Sequence, residues 1–266
     1  MDTARSNFAR TQQVSRLVAD LHSDHGYENT SGAASAQETP LIEVPGLSPS
    51  NLAIHLAENR LRREQADELV GRMYGWRGYL TSPAADDPDC VTLVACDDSE
   101  PIATISVGLD SPNGLNAEEL YPDVVAELRA GGARLCEFTR FAVDRAENSL
   151  ELLALMFHVA FIFARRRYQG THIVAEVNPR HVQFYSRMLG FQVCGPQRHC
   201  ERVDAPAVLL QLPLEYGEQQ IARYGGRPEL ARKIRSLYPM SLPASEVDRI
   251  AARFCVSPMP APSDIM

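Results

Sequence analysis

The chain has 266 residues, enough to bury one substantial core. Apolar residues make up 45% and charged residues 23% of it, which is typical of a globular protein. The net charge of −8 disfavours non-specific nucleic-acid binding, because that needs a basic face. No apolar run is long enough for a transmembrane helix, and the start, MDTARSNFARTQQ, lacks the apolar stretch of a secretory signal, so we expect a cytoplasmic protein.

The first 40 residues are predicted to be a flexible N-terminal segment. Residues 8–21 form a short amphipathic stretch at best, and 22–40 are small, polar and almost free of large aliphatic side chains. Such a composition cannot offset the entropy lost on ordering.

The next part of the chain alternates between helical and strand-like patterns. A strand at 41–44 is followed by a helix that contains Leu52, Leu56 and Leu61 and is capped by Ser48 or Ser50. A second helix is predicted at 64–74, a β-hairpin at 90–96 and 101–109, and a third helix at 117–130.

From residue 133 onward the patterns are clearer. A strand at 133–144 precedes an apolar, buried helix that starts near Ser149 and is stopped by Gly170. A strand at 171–177, a helix from Pro179 to Gly190 and strands from Phe191 and at 206–214 follow. This order predicts an α/β (α+β) fold with one mixed sheet, in a domain at 41–216 with a helical C-terminal extension at 217–266.

The six cysteines give no metal-binding pattern. They contain no Cys-x-x-Cys pair, and the spacing of Cys194, His199 and Cys200 suits no common zinc module. We therefore expect no metal site.

The segment VNPRHVQFYSRMLGF (177–191) resembles the closing signature of the GNAT superfamily of N-acyltransferases. Asn178, Tyr185, Gly190 and Phe191 stand at the positions of that signature. The resemblance implies two splayed strands that admit a pantetheine arm near Asn178, and a tyrosine that protonates the departing thiolate. A phenol is chemically able to do so, although Tyr185 packed beneath the sheet is the alternative.

The segment CEFTRFAVD (136–144) resembles a strand shared by acyl-homoserine-lactone synthases and N-acyl amino acid synthases. Glu137 and Thr139 lie on one face of this strand, and Arg140 points to the other. Glu137 is the candidate base that takes a proton from the attacking amine. Thr139 and Arg140 are candidate substrate-binding residues; Arg140 either clamps a carboxylate or anchors the adjacent loop. A Glu137–arginine ion pair that braces the sheet is the alternative.

The loop after this strand departs from the acetyltransferase pattern. Acetyl-CoA enzymes of the superfamily hold pyrophosphate with a glycine-rich loop, whereas DRAENSLE (144–151) contains no glycine. Arg145 and Ser149 are the candidate binders of a single phosphate. Because the phosphopantetheine arm of an acyl carrier protein presents one phosphate, this loop favours a carrier protein as the donor.

The segment LRREQADELVGRMYGWRGYL (61–80) resembles the corresponding region of the N-acyl amino acid synthases. Arg72 and Tyr74 are its candidate substrate-binding residues. The acidic run with which acyl-homoserine-lactone synthases hold S-adenosylmethionine is missing here. The resemblance, over about 45–215, is therefore to the N-acyl amino acid synthase family.

This resemblance implies direct transfer of a long acyl chain from an acyl carrier protein to the amine of an amino acid. The acyl-phosphopantetheine thioester is a co-substrate, and no permanently bound cofactor is expected. The thioester arm is expected between the strands at 137–143 and 171–177, along the amides of Phe141, Ala142 and Val143. A homodimer is possible.

Two other functions remain open at this point. One is a small-molecule N-acetyltransferase that uses acetyl-CoA, and the other is a non-catalytic GNAT-like binding module. The apolar cluster of Met156, Phe157, Phe161 and Phe163 either lines an acyl tunnel or fills the core.

Overall fold

The computed structural model describes residues 40–44, 52–84, 87–144 and 149–254, and within these ranges the strands form one mixed sheet. The strands are β1 (Ile42–Val44), β2 (Leu52–Leu56), β3 (Cys90–Asp97), β4 (Glu100–Leu109), β5 (Leu135–Val143), β6 (His172–Val177), β7 (Gln192–Val193), β8 (Arg198–Cys200) and β9 (Ala205–Pro213). The α-helices are α1 (Arg60–Gly75), α2 (Ala117–Leu120), α3 (Pro122–Ala130), α4 (Ser149–Ile162), α5 (Val182–Leu189), α6 (Leu214–Tyr224), α7 (Ala231–Ile234) and α8 (Ala244–Phe254).

The strand order is β1-β2-β3-β4-β5-β6-β9-β7, and β8 pairs with β9. Every pairing in this order is antiparallel except that between β5 and β6, which α4 connects. A parallel pair needs such a crossover because the chain must return to the same end of the sheet. This GNAT-like mixed sheet flanked by helices confirms the predicted fold class.

The predicted helix through Leu52 and Leu56 is wrong, because these residues form β2. Leu52 and Ile54 are buried while Ala53 between them is half-buried, and the strand pairs with β3 from Leu52↔Asp97 to Leu56↔Leu93. The four-residue spacing of the two leucines fits a helix and a strand equally well, so pairing with β3 decides the outcome. The predicted caps, Ser48 and Ser50, lie outside the described residues.

The second predicted helix is confirmed as α1, although it begins earlier than predicted. Asn59 caps it, accepting a hydrogen bond from the Arg62 N–H at 2.8 Å. Ala66, Leu69 and Val70 form its buried face, which places α1 beside β4 and β5.

Two further predictions differ in detail. The helix predicted at 117–130 is interrupted at Tyr121, after which Pro122 starts α3. The Tyr121 hydroxyl donates to the backbone carbonyl of Ala207 (2.8 Å), which fixes this break against the sheet. The apolar helix α4 matches its prediction and continues as a π-helical turn, Phe163–Arg167, before Gly170.

The C-terminal helices pack on the same core as the sheet. Leu237, Ile250 and Phe254 belong to the buried cluster that contains α4 and one face of the sheet. The predicted start of the C-terminal extension, residue 217, falls inside α6, and the predicted flexible segment at 1–40 lies outside the described residues except for Pro40. No helix within the described ranges combines the length and apolarity needed to cross a bilayer.

Candidate active site

The two strands at the centre of the sheet separate part of the way along their length. β5 and β6 pair at Leu135↔His172, Cys136↔Ile173 and Glu137↔Val174, and the register ends there. Beyond this point β5 stays with β4 as far as Val143, and β6 stays with β9 as far as Val177. The result is a wedge-shaped gap that starts at Glu137, in the place predicted from the sequence.

A β-bulge bends β5 on the gap side. Ser106 pairs with Thr139 and Thr104 pairs with Ala142, so Arg140 and the residue after it share one position opposite β4. Arg140 has a left-handed φ of 51°, which is uncommon for a residue other than glycine. The bulge is therefore a local feature of β5 that needs support from its surroundings.

The Arg140 side chain supplies that support. Its guanidinium forms an ion pair with Asp67 of α1 and donates to the Ser82 carbonyl at 3.1 Å. Of the two roles predicted for Arg140, these contacts correspond to anchoring the neighbouring loop.

The backbone of β5 presents hydrogen-bonding groups to the gap. The Asp144 N–H donates to the Ile102 carbonyl of β4 (2.8 Å), and successive amides of a strand point to opposite edges. The Val143 N–H therefore points to the gap, and the Ala142 N–H points to β4. The Phe141 carbonyl belongs to the same trans peptide as the Ala142 N–H and so faces away from β4; it accepts a hydrogen bond from the Tyr74 hydroxyl at 3.4 Å.

Glu137 is buried at the apex of the gap. Its exposure is 1%, and neither carboxylate oxygen has a hydrogen-bond partner among the described residues. Burial, and then the neighbouring Glu176 carboxylate, raise the pKa of Glu137 to about 8. Arg202 and the backbone amides of Ala117 and Asn116 oppose this shift; both amides are near the carboxylate, but neither has the distance and angle of a hydrogen bond to it. The alternative of a Glu137–arginine ion pair does not describe this side chain.

Glu176 and Arg202 complete the surroundings of Glu137, and sequence reasoning missed both. Glu176 lies on β6 and forms an ion pair with Arg202, whose guanidinium also donates to the Asn116 carbonyl at 2.9 Å. Burial raises the pKa of Glu176 as well, and its Oε1 has no hydrogen-bond partner in the described part of the chain. A carboxylate within the otherwise apolar stretch IVAEV (173–177) was a usable signal, whereas Arg202 lies in a loop that gives none.

Thr139 continues the polar face that Glu137 begins. It lies opposite Ser106, which in turn lies opposite Thr92, and the Ser106 and Thr92 hydroxyls are 2.7 Å apart. Directly opposed residues share a face of the sheet, so these hydroxyl groups form a row beside Glu137. Thr139 therefore belongs to a short polar row that crosses β3, β4 and β5.

Tyr185 lies on α5, and its ring packs among aromatic side chains on the other face of the sheet. The ring meets Phe157 and Phe191 edge-on, at centroid distances of 5.7 and 5.5 Å. Burial raises its pKa, with a smaller effect from the nearby Tyr74. Tyr185 therefore stays protonated, as a proton donor must be before the reaction.

The remaining predicted residues lie around the gap. Arg72 forms an ion pair with Asp144, and Tyr74 stacks edge-on against Tyr79 at 6.0 Å. Asn178 caps the turn after β6, where its side chain accepts a hydrogen bond from the Arg180 N–H at 3.2 Å. Arg145 lies outside the described residues, and only the backbone of Ser149, at the start of α4, is described.

The arrangement of metal-ligating side chains can be followed only within the described residues. Among the described residues, no group of three His, Cys, Asp or Glu side chains is placed to hold a metal ion.

Comparisons with known proteins identify the family to which this chain is similar. Residues 65–213, more than half of the chain, match the family model described as N-acyl amino acid synthase FeeM. Among solved structures, FeeM from uncultured soil microbes is 25% identical, with a TM-score of 0.57, and the match covers 62% of this chain and 91% of that chain.

Other solved structures are more distant. A putative N-acetyltransferase from Lactobacillus plantarum is 18% identical (TM-score 0.46, covering 61% of this chain and 98% of that chain). The AHL synthase LasI is 14% identical (TM-score 0.43, covering 62% and 91%). Comparison with curated proteins gives no match.

The splayed parallel pair, the bulged strand beside it and the family match define an acyltransferase with a GNAT-like fold. Within that class, the chain belongs to the N-acyl amino acid synthase family.

Proposed function

We propose that this enzyme transfers a long-chain acyl group from an acyl carrier protein thioester to the amine of an amino acid. The observation that carries the proposal is the gap between β5 and β6, which opens directly after the buried Glu137. A thioester arm that enters this gap meets the edge of β5, where the Val143 N–H points into the gap. The arm is proposed to accept a hydrogen bond from this N–H, as an added β-strand would.

The two faces of the sheet supply the two proton transfers. Glu137 shares its face with Leu135 and Val174, beneath α2 and α3, whereas Tyr185 packs on the opposite face with α4. The gap connects the faces, so an amine beside Glu137 and a thioester sulfur beside Tyr185 meet within it.

The reaction then follows in one ternary complex. The neutral amine attacks the thioester carbonyl, the C–N bond forms and the C–S bond breaks. Glu137, as carboxylate, takes the proton that the nitrogen loses, and Tyr185 gives a proton to the departing thiolate. A pKa of about 8 suits a base that works near neutral pH, since the group holds a proton firmly and is still partly ionised.

A carrier protein is the proposed donor because of the loop that follows β5. The segment 144–151 contains no glycine, so it lacks the small residues with which a backbone loop encloses a pyrophosphate. Arg145 and Ser149 are proposed to hold the single phosphate of the pantetheine arm. Thr139 is proposed to orient the amino acid beside Glu137, with Arg72, Tyr74 and Arg140 framing the entrance.

The decisive experiment offers the purified protein three donors separately: palmitoyl carrier protein, palmitoyl-CoA and acetyl-CoA, each with a mixture of amino acids. Mass spectrometry should detect an N-palmitoyl amino acid, formed fastest with the carrier protein. Glu137→Gln should lower the rate by about 10²–10⁴-fold, the usual contribution of a general base.

Glu127→Gln is the matched control, because Glu127 lies exposed on α3 and should tolerate the change. Consumption of acetyl-CoA without any N-palmitoyl product would contradict the proposal and establish a small-molecule N-acetyltransferase. Absence of transfer from all three donors would instead favour a binding module.

A further inference from the structure

A narrow apolar cavity lies beside the gap on the α4 face of the sheet; about 30 Å³ of it is open to the centre of a water molecule, so a hydrocarbon tail that enters must widen it. Its floor contains Phe138 of β5 and Ile173 of β6. Phe138 directly follows Glu137, the last residue of β5 that pairs with β6. The cavity therefore begins where the two strands separate.

The aromatic cluster around Tyr185 borders the same cavity. Phe157 and Phe191 both line it and both contact the Tyr185 ring. An acyl carbonyl held in the gap near Tyr185 would thus direct its hydrocarbon tail toward Phe138 and into the cavity. Of the apolar residues singled out in the sequence, Phe157 and Phe161 line this space.

The far wall comes from the C-terminal part of the chain. Ile221 of α6 and Leu237, Tyr238 and Ser241 line the cavity there. These residues lie beyond 65–213, the part of the chain that matches the family model, so family membership assigns them no role.

This wall is held in place by hydrogen bonds to α5. The Tyr238 hydroxyl donates to the Leu189 carbonyl at 2.7 Å, and the Leu237 N–H donates to the Met188 carbonyl at 3.0 Å. Because α5 also carries Tyr185, the wall and the proposed proton donor are parts of one rigid arrangement.

The wall is also uncharged. Among the described residues that line the cavity, His158 is the one imidazole; its Nδ1 accepts a hydrogen bond from the Leu242 N–H (2.8 Å), and burial lowers its pKa to about 4. At neutral pH a hydrocarbon tail meets only neutral groups, whereas an ionic substituent would find no countercharge there.

Helix α6 approaches the cavity closely because residue 217 is a glycine. A Cβ at Gly217 would lie 2.5 Å from the ring of Phe161, which lines the cavity. This contact sets how near Ile221, one turn further along α6, stands to the space.

We propose that residues 214–241 form the end wall of the acyl-chain site and that the bulk of Ile221 limits the length of the chain. This inference rests on the proposed function, since it takes the acyl tail as the occupant. Binding strengthens with each methylene buried, by about fourfold, until the chain reaches the wall.

The test uses two opposite substitutions at one half-buried position, Ile221→Ala and Ile221→Phe. With saturated acyl carrier proteins of increasing length, Ile221→Ala should move the optimum of kcat/KM to a longer chain and Ile221→Phe to a shorter one. A general folding defect would lower all rates together and would not move the two optima apart. Val247→Ala is the matched control, a half-buried aliphatic residue of the same C-terminal segment that does not line the cavity.

A second measurement separates this inference from the proposed function. Binding of free saturated fatty acids, followed by displacement of an apolar fluorescent probe, requires no acyl transfer. If the unmodified protein forms no N-acyl product, the proposed function fails, and a shifted fatty-acid length profile in Ile221→Ala would still support the wall. The wall is overturned if Ile221→Ala keeps the length profile of the unmodified protein in both transfer and binding.

Discussion

Glu137 combines deep burial with a carboxylate that has no hydrogen-bond partner among the described residues, and this combination is destabilising when the group is charged. Its pKa of about 8 lies above the ordinary value of 4.5. The folded protein therefore keeps a proton that the unfolded chain releases, so the free energy of unfolding falls as pH rises from about 4.5 to about 8. Above that range the loss is complete.

Glu137→Gln should remove this pH dependence. As pH rises from 5 to 9, the free energy of unfolding of the variant should increase relative to that of the unmodified protein by on the order of a few kcal/mol. The reason is that each unit of pKa shift is worth about 1.4 kcal/mol. Urea unfolding at several pH values measures the difference. Any constant cost of burying the amide shifts the curve without changing its slope, and parallel pH profiles would contradict the assignment.

At the scale of elements, the backbone amides along the two edges of β5 should exchange their hydrogens at different rates. The Asp144 and Ala142 amides point to β4, while the Val143 amide points to the gap. Val143 should therefore exchange its amide hydrogen faster than Ala142 in the free protein. A non-hydrolysable palmitoyl-pantetheine thioether should slow Val143 by about fivefold at saturation, which corresponds to one net hydrogen bond of about 1 kcal/mol.

Hydrogen exchange resolved to single residues by NMR measures both amides in one sample. Ala142 serves as the internal reference, because its partner strand does not change on binding. Equal, slow exchange at both positions in the free protein would mean that the β5 edge is already occupied.

The elements predicted well are those whose own residues are enough to distinguish a helix from a strand. β5, α4 and β6 each have a length and a composition that distinguish a strand from a helix, and the structure places all three as predicted. The five residues of β2 do not, because their leucine spacing fits two periodicities and only β3 resolves the choice. β8 was not predicted, since three residues that pair with β9 carry no pattern of their own.

The same reasoning separates the site residues. Glu137 and Tyr185 stand in motifs shared with a family, so sequence indicates them, although their catalytic roles stay predictions. Arg202 reaches Glu176 from a position 26 residues away, and Arg140 reaches Asp67 across 73 residues. Contacts of that kind exist only once the sheet has formed, and no local pattern predicts them.

At the scale of the whole molecule, α8 connects distant parts of the chain. Arg253 donates to the Leu41 carbonyl at 3.1 Å, and the Arg167 guanidinium, at the end of the π-helical turn, donates to the Phe254 carbonyl at 3.1 Å. The Phe254 ring is 2% exposed and meets Phe163 edge-on at 5.0 Å. The C-terminal helix therefore contributes to the same core as the sheet, and we expect both to unfold together.

Phe254→Ala should lower the free energy of unfolding by about 3–5 kcal/mol, the usual cost of deleting a buried phenylalanine ring. Trp76, the single tryptophan, follows α1, so its fluorescence reports on the α1 side of the sheet while circular dichroism reports on all helices. Because the core is shared, urea transitions from the two signals should coincide in the unmodified protein and move together in Phe254→Ala.

Arg249→Ala is the control, since its ion pair with Glu246 is exposed and worth about 0–1 kcal/mol. If the transition seen by Trp76 fluorescence stayed unchanged in Phe254→Ala while the transition seen by circular dichroism shifted, the C-terminal helices would form a separate unit. That result would agree with a distinct extension beginning at residue 217.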